Sequence, residues 1–497
     1  MAPPRIARTA LAAALLAAAA GGAAQAATPT QDKLFAELRR LAERVDKLEK
    51  RNSELEARLA APAPAPALAQ RVAALEQASK EVAAGLESDR ISAREPELVT
   101  RLKAVEAKTQ AIGAPTRLAE ALDGIAVEAS VAAVAQRIDG DANADGNDVS
   151  LLSWRGDLGI TLPAGDIGAG TGEFFAQLRV GQEGEGLPEA NPAFTGAYNS
   201  LAFQGGAGSQ DSYAIVAQAW YQLTTPLGTD PSTPHSLQLT VGKMDPFVFF
   251  DQNAIADNEA EKFLNNVFVH NPLLDSGGAV GADDYGFSPG LRLAYRNERS
   301  APDWWQASVA AFGAGEGAKF GRSFTKPFVI GQLEYGRKNQ GFDGNYRLYA
   351  WRNGQYEGFD GSVDATTGWG LSIDQRVHED LALFARYGRA SSGKAAFDRA
   401  LTVGGELTGN AWGRGADGVG LAWAWLRASD EFRAEAPLSP DFGYDARGAE
   451  QVAELYYRWQ VNPQLSLTPD LQYIRRAAAD PEAESVTVFG LRGLYAF

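Results

Sequence analysis

From Val127 to Phe497 the chain is written in segments of about ten residues whose side chains alternate between apolar and polar, parted by turns of Gly, Asp, Asn and Pro. A period of two marks a β-strand, because successive side chains point to opposite faces. In 151–162 one face reads Leu152, Trp154, Gly156, Leu158, Ile160, Leu162, and the other carries Ser153, Arg155 and Asp157. In 450–461 Ala453, Leu455, Tyr457, Trp459 and Val461 oppose Glu454, Tyr456, Arg458 and Gln460. In 418–426 Val419, Leu421, Trp423 and Trp425 share a face. The last stretch sets Phe489, Leu491, Gly493, Tyr495 and Phe497 against Val488, Gly490, Arg492, Leu494 and Ala496.

Two folds can satisfy such faces. A soluble β-sandwich would bury them, and a transmembrane barrel would turn them to lipid. Trp and Tyr often end the apolar face here, and these rings favour the membrane–water boundary. Tilted strands of roughly nine to eleven residues span a bilayer, and lipid tolerates no unpaired backbone, so the sheet must close. The pattern places strands near 126–137, 150–162, 172–181, 213–224, 236–243, 288–297, 304–313, 327–337, 344–353, 367–377, 381–390, 399–408, 417–427, 449–460, 464–475 and 485–497. The expected fold is an all-β transmembrane barrel of about 16 antiparallel strands over 125–497, preceded by an α-helical coiled-coil segment. An even strand number puts both barrel ends on one side. The connections after even-numbered strands are mostly short, as periplasmic turns should be.

The context agrees. Residues 10–27 are Ala- and Leu-rich, follow Arg5 and Arg8, and end in Ala24-Gln25-Ala26, which reads as a signal peptide over 1–26. Without those two arginines, 44 Lys and Arg face 62 Asp and Glu, a net charge of −18. So acidic a chain is not expected to bind nucleic acid. With no cysteine there is no disulfide framework. A mean hydropathy of −0.23 excludes a bundle of transmembrane helices.

Residues 31–123 follow another style, with Phe35 as their one aromatic, whereas all 10 Trp and 15 Tyr lie beyond. Leu34, Leu38, Leu41, Val45, Leu48, Asn52, Leu55 and Leu59 step by four and three, a heptad seam with Asn52 in its core. A coiled coil is expected over 27–60, a stiff Pro/Ala spacer over 61–67, and a second helical segment over 68–123. The rod's oligomer state stays open between dimer and trimer.

One connection, 245–287, is too long for a hairpin turn and is expected to fold inward and narrow the pore. It supplies Asp251, Asn253, Asp257, Asn258, Glu259 and Glu261, with Phe263 and Phe268 as wall anchors. Lumen-parity positions opposite carry Arg155, Arg179, Arg292, Arg347, Arg386, Arg458 and Arg492. An acidic loop facing a basic wall would make a polar constriction suited to hydroxyl-rich solutes. Asp141, Asn143 and Asp145 start like a calcium loop, but the twelfth position is Leu152, so an acidic turn is the favoured reading. No cofactor or catalytic constellation is legible.

The segment "FFDQNAIADNEAEKFLNNVFVHNP" (249–272), then "GFSPGLRLAYR" (286–296) and the stretch 397–433, resemble the carbohydrate-selective outer-membrane porins. The resemblance covers roughly 125–497. It implies a sixteen-stranded barrel passing sugars by diffusion, and a trimer. The terminal Tyr495 and Phe497 resemble the C-terminal signal of outer-membrane proteins, which implies outer-membrane lipid and the barrel assembly machinery as partners. A role as an envelope tether, with the rod reaching the cell wall and the barrel as anchor, is the alternative reading.

Overall fold

The structure is a computed structural model that describes residues 124–139, 149–183, 193–202, 212–228 and 234–497. The expected signal peptide, coiled-coil segments and spacer, and the acidic turn at Asp141, Asn143 and Asp145, lie outside the described residues.

Sixteen strands run in order: β1 (Ala126–Asp139), β2 (Val149–Ile167), β3 (Gly170–Gln182), β4 (Tyr213–Pro226), β5 (His235–Met244), β6 (Ser288–Ser300), β7 (Asp303–Phe312), β8 (Phe328–Asn339), β9 (Phe342–Glu357), β10 (Val363–Arg376), β11 (Leu381–Ser392), β12 (Phe397–Gly409), β13 (Arg414–Ala428), β14 (Ala449–Gln460), β15 (Leu465–Arg475) and β16 (Val486–Ala496). Each pairs antiparallel with its neighbours in sequence, and β16 closes on β1, giving one closed barrel. Closure leaves no edge, which lipid requires. At the seam Phe497 N–H donates to Ala129 O at 2.9 Å and Ala129 N–H to Phe497 O at 3.0 Å. The chain's last residue is thus the last rung of the wall.

All sixteen expected strands are present. Several run further than the apolar pattern does, β2 to Ile167 and β9 to Glu357. Hydrophobic alternation ends where the bilayer would end, while backbone pairing continues into polar hairpins beyond it. The connections after even strands are short, such as 168–169, 301–302 and 340–341, and those after β3, β5 and β13 are long.

The faces fall as the alternation requires. Leu421, Trp423, Leu455 and Leu491 are exposed on the outer surface, Leu421 at 61%. Their strand neighbours Ala422, Glu454 and Arg492 point inward and are buried. Trp305, Tyr335, Trp459 and Tyr495 are exposed close to the short-turn end. This is the aromatic girdle of a membrane barrel.

Candidate functional site

The connection 245–287 leaves β5, crosses the lumen and returns at β6. Every strand group it meets is met on the inward face. Asp251 N–H donates to Gln332 of β8 at 3.0 Å, and Tyr349 of β9 donates to the Asp251 carboxylate at 2.7 Å. Asn253 Nδ2 reaches Ser372 of β10 at 3.3 Å. Lys262 Nζ lies 2.7 Å from Glu406 of β12. The Glu454 carboxylate of β14 accepts the backbone N–H of Leu264 at 2.6 Å and Asn265 at 2.9 Å, and Asn265 Nδ2 donates to Gln472 of β15 at 2.9 Å. Arg492 of β16 donates to the carbonyls of Glu259, Glu261 and Lys262 at 2.9, 2.9 and 2.7 Å. Arg155 of β2 pairs with Glu259. The tip of this loop is a single turn, α1 (Asn266–Val269), capped by the Asn265 side chain, which accepts Val267 N–H at 3.0 Å.

A buried ion pair fixes the loop's near end. Arg386 of β11 donates to Asp251 Oδ1 at 3.2 Å, to Asp251 O at 3.0 Å and to Phe268 O at 2.8 Å. Asp251 sits in the left-handed region at φ 56°, a conformation that Asp tolerates better than most residues. Phe263 and Phe268 are buried, and Phe263 packs edge-on against Tyr456 and tilted against Phe384. Backbone groups of an irregular segment at membrane depth need partners, and the inward Glu, Gln and Arg of the wall supply them.

Among the described residues, none of 251–274 hydrogen-bonds β3 to β7. Segment 251–274 is therefore hydrogen-bonded to one side of the barrel only, and the loop's ends reach the other, where Asp245 N–H donates to Gln218 at 3.1 Å, Asp283 pairs with Lys243 at 3.0 Å, and Phe249 and Phe250 pack against Trp220 and Phe312. That other side carries Gln177 and Arg179 of β3, Gln218 and Gln222 of β4, Gln238 and Thr240 of β5, and Arg292 of β6, with Phe175 stacked on Trp220 at 5.0 Å.

The sixteen-stranded barrel agrees with the comparisons. A model of the carbohydrate-selective porins, OprB family, matches residues 181–497, well over half of the chain. The chain belongs to the OprB family. Family and barrel together place it in the outer membrane. The high-pH structure of Pseudomonas putida OprB superposes with a TM-score of 0.61 at 21% identity, covering 76% of this chain and 96% of that one, which shows the shared fold. Porin AaxA of Chlamydia pneumoniae is 30% identical over 128 residues, so the match spans 25% of this chain and 27% of that relative.

The expected site residues separate into two groups within this OprB barrel. Asp251 and Arg386 have side chains with no exposed surface, so the structure corrects their expected place on the pore. They hold the loop instead, and Arg492, buried at 1%, does the same. Arg347 is buried between Glu334 at 2.8 Å and Asp374 at 2.7 Å. Asn253 is spent on Ser372 and on capping Ile255 and Ala256. Partly open to the lumen are Asp257, Asn258, Glu259 and Glu261 of the loop, and Arg179 and Arg458 of the wall. Nor is the wall simply basic. Arg155 and Arg179 each lie 2.7 Å from Asp157, and Arg458 lies 3.2 Å from Glu406. The wall brings its own carboxylates, and the expected division of charge is a set of local pairs.

The loop's charges respond to this setting. His270 stacks on Phe247 with centroids 3.8 Å apart, Nδ1 3.0 Å from Asp275 and Nε2 3.5 Å from Asp257. Burial opposes its positive charge, but Asp275, Asp257 and Asp245 raise its pKa to about 9. Burial pushes Asp257 up to about 8 against the pull of His270 and Arg386. For Glu259 the cost of burial is outweighed by Arg155, which brings it down to about 2.

Sequence reasoning missed a second inward segment, 193–202, from the β3–β4 connection. Asn199 accepts from Ser153 at 3.0 Å, donates to Gln136 and bridges Asn265. Phe194 N–H donates to the buried Glu450 at 2.7 Å, and its ring meets Phe397 and Phe432 of the helix α2 (Asp430–Glu435). The available signal was a Glu at a lumen position with no charge partner in its own strand pattern.

Proposed function

We propose that this OprB-family protein is a passive outer-membrane channel for small hydrophilic solutes, sugars foremost. The observation that carries the reading is a loop whose segment 251–274 is hydrogen-bonded to strands of β8–β16 and to β2 but makes no hydrogen bond to β3–β7, inside a barrel whose outer surface is apolar. The passage runs between the free side of the loop and the β3–β7 wall. Amides, guanidinium groups and carboxylates on both sides offer donors and acceptors to hydroxyl groups. Asp257, Asn258, Glu259 and Glu261, with Arg179, line the narrow part, while Arg155 and Arg458 fix the carboxylates of Glu259 and Glu406 beside it. Asp251, Asn253, Arg347 and Arg386 set its shape by fixing the loop. The family and the fold speak for a channel over an enzyme, and over a barrel that only anchors a tether.

The finer assignments belong to the same proposal. Tyr495 and Phe497 form the signal read by the barrel assembly machinery. The coiled coil over 27–60, the Pro/Ala spacer over 61–67 and the second helical segment over 68–123 form a periplasmic rod that can touch the cell wall, since β1 begins at the short-turn end. The barrels assemble as trimers. The test is swelling of proteoliposomes containing the full chain in glucose, a disaccharide and a trisaccharide. Rates that fall with solute size are expected, and rates equal to protein-free liposomes would overturn the reading.

A further inference from the structure

Of the seven lumen-parity arginines named from the sequence, six have their charge answered. Arg155, Arg179, Arg347, Arg386 and Arg458 each lie within 4 Å of a carboxylate, and Arg492 holds three loop carbonyls. Arg292 differs. It is 3% exposed and, among the described residues, has no carboxylate within 4 Å; Glu334 of β8 acts on it only from further off and is paired with Arg347 at 2.8 Å. The one hydrogen bond of Arg292 is a long 3.3 Å contact to Gln238 Oε1, its Nε has no partner, and its guanidinium lies 4.8 Å from the Phe249 ring centroid. A charge withdrawn from water without a counter-charge is costly.

The neighbouring strands repeat the pattern. Ser308 of β7 and Gln332 of β8 are directly paired in register, two residues along from Arg292, whose own row runs through Ala310 to Ile330. Both point inward and are buried, at 8% and 3%, and Ser308 Oγ and Gln332 Nε2 also lack partners. Three adjacent strands thus hold three unpartnered polar atoms, one on a cation and one an amide donor, beside the start of the loop, where Gln332 Oε1 accepts the Asp251 N–H and Phe249 covers Arg292. Such a concentration is unusual in a folded protein. It has the chemistry of an oxyanion site, where a planar guanidinium and neutral donors meet two oxygens.

We infer that Arg292, Ser308 and Gln332 form a recessed subsite for a carboxylate, which gives this channel a preference for acidic sugars over neutral ones. The inference rests on the channel reading above and deepens it. The carboxylate enters from the β3–β7 side and engages the guanidinium. Arg292 is tethered by a single long bond and can turn to meet it.

The test uses the full chain in detergent, titrated calorimetrically with sodium glucuronate, glucose and sodium acetate at neutral pH, alongside bilayer conductance. Glucuronate should bind at least about tenfold tighter than glucose, and Arg292→Met should abolish that difference. Arg292→Lys should keep part of it, since the charge stays while the planar fork is lost. Acetate binding as tightly as glucuronate assigns the site to the carboxylate alone, and weaker acetate binding assigns it to the acidic sugar. Equal binding of glucuronate and glucose, or a preference that survives Arg292→Met in a protein that still forms open channels, overturns the inference. Loss of conductance in the wild type would instead strike the channel reading, so the two failures are distinguishable.

Discussion

Arg386→Met is the sharpest perturbation of the loop. The guanidinium makes three hydrogen bonds to it, at 3.2 and 3.0 Å to Asp251 and 2.8 Å to the Phe268 carbonyl, in a site with no exposed side-chain surface. Removing one partner of a buried pair costs about 3–5 kcal/mol, because the other charge stays behind in the dry site. Asp251 keeps Tyr349 and the Asn271 N–H, which puts the expected cost near the lower bound. At about 1.4 kcal/mol per decade, the equilibrium for releasing this end of the loop rises roughly a hundredfold or more. Hydrogen exchange should read this as faster exchange at the amides of 251 and 268–271, while the barrel strands keep their protection. Single-channel records should become noisier and reach higher conductance. Arg386→Met with Asp251→Asn should regain part of the loss, since Asn also tolerates the left-handed backbone and can accept from Tyr349 or Asn271 while the unpaired buried charge is gone. Unchanged exchange and conductance in Arg386→Met would refute the view that this pair fixes the aperture.

Three further outcomes follow from the structure. His270 is raised to about 9 in the docked loop from an ordinary value near 6.5, so its contribution, of order 3 kcal/mol, is full below about pH 6.5 and lost as pH climbs through about 9; loop exchange should rise over that window and become flatter in His270→Gln. Leu455→Arg puts a cation on the lipid face and should cost about 2–4 kcal/mol of barrel stability in a urea refolding assay with lipid vesicles, whereas the lumen-facing substitution Gln177→Arg should cost much less. Deleting Phe497 removes both seam hydrogen bonds to Ala129, each worth about 1 kcal/mol, and should lower the yield of heat-modifiable folded barrel on gels.

The wall was legible in the sequence because lipid and lumen impose opposite demands on alternate residues. Leu421 next to Ala422, or Leu491 next to Arg492, states the answer residue by residue. The loop was legible as an insertion, since 43 residues between β5 and β6 exceed any turn. Its docking was not. Asp251 and Arg386 lie 135 positions apart, and nothing in their local patterns distinguishes a pair hidden under the loop from two groups facing the channel. The same limit applies to Glu454, whose partners are the backbone N–H groups of Leu264 and Asn265 and have no sequence identity to read. Segment 193–202 carries no strand or helix period, and its hydrogen bonds to the wall are made largely by Asn199 and by main-chain atoms, which leave no pattern to read.

The central claim is that neighbouring residues of one strand meet hydrocarbon and an aqueous lumen. The chain has no cysteine, so a single introduced thiol reports without background. Gln177 and Leu178 of β3 point to opposite faces, Gln177 inward and Leu178 exposed on the outer surface. In vesicles, Gln177→Cys should react with a membrane-impermeant maleimide and lose conductance on labelling, while Leu178→Cys should react only with a lipid-soluble one and conduct as before. The reverse pattern, or protection of both thiols from both reagents, would contradict the account.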